Sequence, residues 1–441
     1  MRRVGRRPIR GTHGNRLELQ LPPTRPAPLV ERNSRLLILD AVGGSVLNAA
    51  IAFNAVYAVR LGATNAEVGL LASLPSLLAV LVTLPVGRYL ESLRSLLPFA
   101  TATLGLHRVG YLLLVLVPFA PADVRPTALV ALVVLASIPL TGFGVALNTL
   151  YGDLLPDKRR SAVLSWRMIA LSVGALVVTP VAGVWLDRVA FPSNYQALYL
   201  FAALWGLMSV IAIRELRYDG EPPLRRSADG SSLLTRPIQT LRSFAGEVGF
   251  WRITLDTFVH GMGVWLAAPL YVLLYVREMG ATDGWFGLFT AVSAGAQAVG
   301  YYLWQRGVLR WGDRRVLIGC VTASGFFPLL VGIAPSLDVV MGIGVAYGLV
   351  VPGLGLSHFP TLIRVCPADR RPTFIALYTM LMNAGAAVAP LLSVAAIGVV
   401  GLRPMLVLAG ALWASSGLFF WRLPPEPALP GEAHESATAS G

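Results

Sequence analysis

Long apolar runs alternate with short polar gaps along almost the whole chain. Runs of about 18 to 25 residues, rising 1.5 Å per residue as helix, are long enough to cross the roughly 30 Å hydrocarbon layer of a bilayer. The pattern predicts twelve spans, at about 36–59, 67–86, 97–119, 127–149, 162–186, 197–213, 250–275, 285–304, 316–334, 338–358, 372–398 and 404–421. Backbone groups inside lipid have no water to bond, which makes helices the natural reading of such runs. Three polar stretches stand outside them, so the chain divides into a tail (1–35), a six-helix bundle (36–213), a linker (214–249), a second six-helix bundle (250–421) and a second tail (422–441). The expected fold class is an all-α polytopic membrane protein with twelve transmembrane helices.

The two halves repeat each other. VRLGATNAEVGLL (Val59 to Leu71) returns about 218 residues later as REMGATDGWFGLF (Arg277 to Phe289), with Gly62-Ala63-Thr64 over Gly280-Ala281-Thr282 and Asn65 over Asp283. A second repeat sets YGDLLPDKRRSAVLSWR (Tyr151 to Arg167) over LIRVCPADRRPTFIALY (Leu362 to Tyr378), with Pro156 over Pro367 and Arg159-Arg160 over Arg370-Arg371. Proline ends the preceding helix, and the arginines reach phosphates or the carbonyls at a helix end. Parallel repeats of several helices with a site between them are an architecture of secondary transporters.

Composition agrees: 55% of the 441 residues are hydrophobic and 13% charged, unlike an ordinary soluble domain. The net charge of +13 is spread through the gaps between apolar runs rather than over one basic face, so it reads as topology and implies no nucleic-acid partner. One set of loops carries Arg88, Arg94, Lys158, Arg159, Arg160, Arg306, Arg310, Arg314, Arg315, Arg364, Arg370 and Arg371; the other has Arg60, Arg125, Arg188, Arg277 and Arg403. The positive-inside rule makes the first set cytoplasmic, and an even number of spans puts both termini there. A multi-pass protein of the plasma membrane is expected. The first tail has Arg2, Arg3, Arg6 and Arg7 but no apolar core for a cleaved signal, so the first span is expected to target itself. Those arginines suit anionic lipid headgroups, and equally a disordered tail. Cys320 in a span and Cys366 in a loop indicate neither a disulfide framework nor a metal site.

The loop after the second span reads Gly87-Arg88-Tyr89-Leu90-Glu91, and the corresponding second-half loop reads Arg310-Trp311-Gly312-Asp313-Arg314-Arg315. Together they resemble the loop between spans two and three of the major facilitator superfamily: Gly, three residues, an acid, a base, any residue, Gly, any residue, two bases. The first copy departs at Ser92, Arg94 and Leu96-Leu97, and the second has Gln305 and Leu309 in place of the Gly and the acid, so each half keeps what the other lost. The resemblance extends over nearly all of residues 36–421. It implies a secondary active transporter working by alternating access on a small-molecule substrate, with membrane lipids around a functional monomer and no cofactor. Gly87, Glu91, Arg310, Gly312, Arg314 and Arg315 would steady the cytoplasmic closed state. In the fifth span, Gly174 and Thr179-Pro180-Val181-Ala182-Gly183 look like an eroded Gly-rich motif of family exporters, although the eleventh span also carries Ala389-Pro390 and small residues serve helix packing generally. The family's basic residue in the fourth span is missing. Efflux is the expected direction, with a proton as the possible coupling ion; an uptake permease and a non-transporting receptor, scramblase or assembly protein stay open.

The resemblance also implies a central cavity lined mainly by spans one, four, seven and ten, with contributions from two, five, eight and eleven. Polar and aromatic residues there are Asn48, Asn54, Asn148, Trp265, Tyr271, Gln297, His358, Tyr378 and Asn383. Amides and aromatic rings bind neutral or amphipathic ligands, and they serve as interhelical glue as well. Ionisable residues within spans cost several kcal/mol unless paired or hydrated. Asp40 and Asp256 occupy matching places, as a pinned gate carboxylate or a protonatable coupling group. His260 follows Asp256 by four residues on the same helical face, which suits a proton relay or a hydrogen-bonded core histidine. Arg108, near the bilayer midplane, reads as an ion-pair anchor or as an anion-binding group. Asp40 and Arg167 lie at equal depth on neighbouring helices, which predicts an ion pair; Tyr378, aligned with Arg167, would replace it with a weaker contact to Asp256. No phosphate-binding loop, HExxH, Cys/His metal spacing or nucleophile elbow occurs, so an enzyme is not expected.

Overall fold

The computed structural model describes residues 27–222, 246–367 and 371–421. The arginines of the first tail, most of the linker, Arg370 and the second tail lie outside the described residues, as does the side chain of Lys158. Twelve helical rods make up the described structure: α1 (Ala27–Ile51, resuming after a break as Asn54–Arg60), α2 (Asn65–Ser92), α3 (Leu97–Leu113, tightening to a 3-10 turn through Phe119), α4 (Arg125–Leu154), α5 (Asp157–Arg188), α6 (Ser193–Arg214), α7 (Val248–Val272, widening to a π turn through Glu278), α8 (Asp283–Trp311), α9 (Asp313–Ile333), α10 (Leu337–Val365), α11 (Arg371–Val400) and α12 (Leu402–Phe420). By length and composition eleven of these can cross a membrane; α8, richer in polar and small residues, is the exception and is as long as the rest.

Helix α1 starts nine residues before the boundary expected at 36. Its first turns are amphipathic rather than apolar: Val30 joins a buried core, Glu31 pairs with Arg35 at 3.2 Å, Arg32 with Glu215 at 3.1 Å, and Asn33 donates to the Arg217 carbonyl at 2.8 Å. Polar partners therefore carry the helix beyond its apolar run.

The repeated Gly-Ala-Thr loops fold alike for identifiable reasons. Gly62 and Gly280 have φ of +90° and +68°, a region costly for residues with a Cβ. Ala63 and Ala281 are buried. Thr64 and Thr282 cap the next helix, accepting hydrogen bonds from the amides of Glu67 (3.2 Å) and Trp285 (3.1 Å). Glu67 completes a capping box by accepting from the Thr64 amide at 2.7 Å, and it ties down Thr127 at the start of α4 at 2.6 Å.

Packing repeats as well. In the first half α1 packs on α5 and α6, α4 on α2 and α3, and α3 on α6; the second half has α7 on α11 and α12, α10 on α8 and α9, and α9 on α12. Between halves the main contacts are α5 with α8 and α2 with α11, which the same relation interchanges. At the end of the Gly-Ala-Thr loops one hydrophobic core crosses between halves, taking Leu273 and Val394 into the first-half cluster, and Val56 meets Val272 and Val276. At the opposite, Arg-rich end the cores are separate, one built from 30–218 and one from 250–420. The halves are therefore joined at the Gly-Ala-Thr end.

Candidate substrate cleft and gate

Helix α7 passes α11 with a cleft of about 370 Å³ between them, lined by Thr257, His260, Trp265, Tyr378, Met382 and Asn383 among others. Two glycines shape it. A Cβ on Gly261 or on Gly385 would lie 2.5 or 2.4 Å from the Trp265 ring, so only glycine on both helices leaves a bed for the indole. Below, Thr257 and the Nε2 of His358 are hydrogen-bonded at 2.8 Å, and the Tyr378 ring lies 6.0 Å from that of His358. His260 is buried, set edge-on against Trp413 at 5.2 Å, and its Nδ1 finds no partner among the described residues. Asp256 is buried one turn away and is not among the lining residues. The cleft thus gathers His260, Trp265, Tyr378 and Asn383, with His358 just behind, and its wall contains no Asp, Glu, Lys or Arg.

The other residues marked in the sequence are placed elsewhere. Asn54 is held within the first half, donating to the Tyr111 hydroxyl at 3.0 Å and accepting from Tyr199 at 2.8 Å. It also borders a cavity of about 210 Å³ shared by α1, α2 and α7, whose other walls are apolar. Tyr271 stacks among Tyr275 and Phe327. Asn48 and Asn148 are exposed, and Gln297 is half-buried on α8. Asp40 and Arg167 form a buried ion pair, and Arg167 also donates to the Leu37 carbonyl. Arg108 is buried in the same half, donates to Ser209 at 2.9 Å, and exerts its charge on Asp40. Its side chain fills the space left by Gly206, whose Cβ would stand 2.8 Å from the Arg108 Cδ and 2.9 Å from its Nε. Towards the Arg-rich end, Glu91 is half-buried near the end of α2, Gly312 turns the chain between α8 and α9 at φ +79°, Arg314 donates to the Trp421 carbonyl at 2.7 Å, and Arg310 and Arg315 are exposed.

Sequence reading located the Gly-Ala-Thr loops but not what they do. Each half extends an arginine from its first helix into the other half's loop: Arg60 donates to the Ala281 carbonyl at 2.9 Å and pairs with Asp283 at 3.7 Å, while Arg277 donates to the Ala63 carbonyl and to Asn65. The acceptors correspond by the repeat. Two further contacts have no counterpart among the described residues. Tyr195 donates to Asp283 at 2.8 Å, and Asp187 accepts from the amides of Asp283 and Gly284, each at 2.9 Å, at the positive N-terminus of α8. Beside this clasp the helices nearly touch, since a Cβ on Gly183 would be 2.6 Å from the Asp283 carbonyl and one on Gly287 2.7 Å from that of Thr179. The repeat itself was the available signal: loops conserving Gly, Ala and Thr keep a geometry, and an Arg just before each loop is placed to use it.

A family model decides the relationship: that of the Major Facilitator Superfamily matches residues 36–259 and again 253–440. The chain belongs to the Major Facilitator Superfamily. No curated protein matches it. Among solved structures it is similar to the nucleoside transporter NupG in a mutant form, with TM-score 0.68 and 12% identity over 89% of this chain and 100% of that one. It is also similar to a bacterial homologue of the human lysosomal transporter Spinster in an inward-facing, occupied conformation (0.62, 13%, 90% and 98%) and to the xylose transporter XylE from E. coli in an inward-open conformation (0.62, 14%, 91% and 97%). At these identities the likeness is one of fold. The family and its fold make this a multi-pass membrane transporter rather than an enzyme.

Proposed function

We propose that this member of the family is an exporter of a small, uncharged, partly aromatic solute, operating at the plasma membrane with both termini and the Arg-rich end in the cytoplasm. The two bundles, 36–213 and 250–421, rock against each other, and the described conformation is the one loaded from the cytoplasm. The observation that carries this reading is the α7–α11 cleft, where an indole, a phenol, an amide and two histidines meet with no permanent charge in the wall. A buried polar atom without a partner costs about 1–3 kcal/mol, so the Nδ1 of His260 is a strong position for a solute hydrogen bond. Joined halves at the Gly-Ala-Thr end and separate cores at the other support access from the Arg-rich side. Proton coupling is assigned to His260 with Asp256 one turn behind it, because the imidazole lies in the cleft wall, where solute binding alters its surroundings.

Proteoliposome flux tests each part. Neutral aromatic and hydroxylated solutes are expected to exchange saturably, with Trp265→Ala and Asn383→Ala raising KM several-fold. A proton gradient is expected to drive net movement from the Arg-rich side, and Asp256→Asn or His260→Ala to flatten its pH dependence. Full pH-dependent transport in both variants would remove the coupling assignment. Net movement in the other direction would make the protein an uptake permease.

A further inference from the structure

A second concavity, sharing no residue with the solute cleft, lies where the last turns of α8 meet α10. It encloses about 420 Å³ between walls of Leu303, Trp304, Trp311, Leu349 and Val350, with Arg306 and Arg310 on one rim. We propose that this groove is a binding site for an anionic phospholipid, the two arginines holding the headgroup phosphate and the apolar walls taking the start of an acyl chain.

Depth, charge and shape each support that occupant. Helix α8 has 29 residues and is about 44 Å long, well beyond a hydrocarbon layer of about 30 Å, so its last turns stand at headgroup level. Tyr301, Tyr302, Trp304 and Trp311 on those turns form the aromatic belt characteristic of that level. Arg306 and Arg310 are four residues apart on one helical face, and among the described residues neither meets a carboxylate. Instead Arg306 lies 3.8 Å over the Tyr302 ring and Arg310 lies 6.0 Å from that of Trp311, which orients the guanidinium planes and leaves their N–H groups for an acceptor. A phosphate accepts from guanidinium in a bidentate manner. The notch itself exists because residue 307 is glycine: a Cβ there would stand 3.0 Å from the Trp304 ring and 3.4 Å from that of Trp311. A soluble anion would use the arginines and leave the apolar walls wet. A lipid uses both.

The proposal is independent of the transported solute, and so is its test. Full-length protein is reconstituted in phosphatidylcholine vesicles containing brominated phosphatidylglycerol, or brominated phosphatidylcholine, and tryptophan quenching is followed. The chain has ten tryptophans, so the Trp304→Phe/Trp311→Phe variant isolates the groove's contribution. At roughly five-fold per arginine, the groove signal is expected to fall at about 25-fold lower mole fraction of the anionic lipid than of the zwitterionic one. Arg306→Gln/Arg310→Gln is expected to abolish that preference while leaving the apolar groove. Gly307→Leu, which fills the notch and keeps both arginines, is expected to reduce quenching by both lipids. Equal quenching by the two lipids in the unaltered protein, or a preference that survives the arginine substitutions, would overturn the proposal. Release of the quencher by millimolar inorganic phosphate would instead identify a soluble-anion site.

Discussion

Arg167 brings a positive charge into the buried interior of the first half, and Asp40 meets it there with Arg108 near by. The carboxylate pairs with Arg167 and also lies in the field of the Arg108 charge, which makes the partners unequal. Asp40→Asn strands both cations and is expected to destabilise the protein by about 3–5 kcal/mol, whereas Arg167→Gln leaves Asp40 with Arg108 and costs less. Thermal unfolding in detergent checks the order, and equal losses would show that Arg108 does not share the carboxylate. This pair was legible in the sequence because equal depth along two helices sufficed to place it once the family resemblance implied that they pack side by side. The second-half counterpart, Asp256 with Tyr378, differs in setting: Tyr378 lines the cleft, whereas Asp256 is buried one turn from His260 and outside the cleft wall. The polar residues differ in the same way. Asn54 and Tyr271 fall on spans expected to line the cavity: Asn54 is held by two tyrosine hydroxyls at the edge of the α1–α2–α7 cavity, and Tyr271 lies among aromatic rings. Residue type marks a side chain as able to bind something, and only packing says what it faces.

At the scale of elements, the apolar runs foretold twelve helices because length and hydropathy alone decide whether a segment suits a bilayer. They did not foretell the early start of α1, whose first turns are held by polar partners, nor its break near Ala52 and the π turn ending α7. The Gly and Pro residues of α5 resemble an exporter motif in sequence, and the structure gives them a definite task. Gly183 faces the start of α8, and Gly287 on α8 faces Thr179 and Pro180, so two backbones meet with no side chain between them. Gly287→Val places a branched side chain where a Cβ already comes within 2.7 Å of the Thr179 carbonyl. Helix propensity changes little, so the consequence is steric, and α5 and α8 must separate at the Gly-Ala-Thr end. Spin labels at Ala122→Cys and Pro335→Cys, exposed positions on opposite halves at that end, are expected to move apart in this variant. Gly319→Val, with open space around its Cβ, should leave the distance unchanged. An unaltered distance in Gly287→Val would mean that the seam accommodates the side chain and does not hold the end closed.

The whole molecule is two copies of one packing scheme, and its gate is built at the loops that the copies retain most clearly. Arg60 and Arg277 cross reciprocally, each to the alanine carbonyl of the opposite loop and to the residue three positions after the loop glycine. That residue differs between halves: Asp283 makes one arm ionic, and Asn65 leaves the other neutral. An ion pair at this partly exposed depth is worth on the order of 1 kcal/mol, too little to fix the conformation and enough to bias it. Removing both arms by Arg60→Gln/Arg277→Gln is therefore expected to shift the equilibrium away from the closed Gly-Ala-Thr end by about five-fold or more, read as the longer-distance population between the labelled Ala122 and Pro335 positions. Asn65→Asp supplies the missing charge opposite Arg277 and is expected to act in the reverse sense, holding that end closed and slowing turnover without changing solute affinity measured from the Arg-rich side. Opposite shifts from the two variants would identify the reciprocal clasp as the element that sets the conformational balance. If neither distance distribution moves, the balance rests on the apolar contacts of Val56 with Val272 and Val276 and on the glycine seam, and the arginines serve only to anchor their loops.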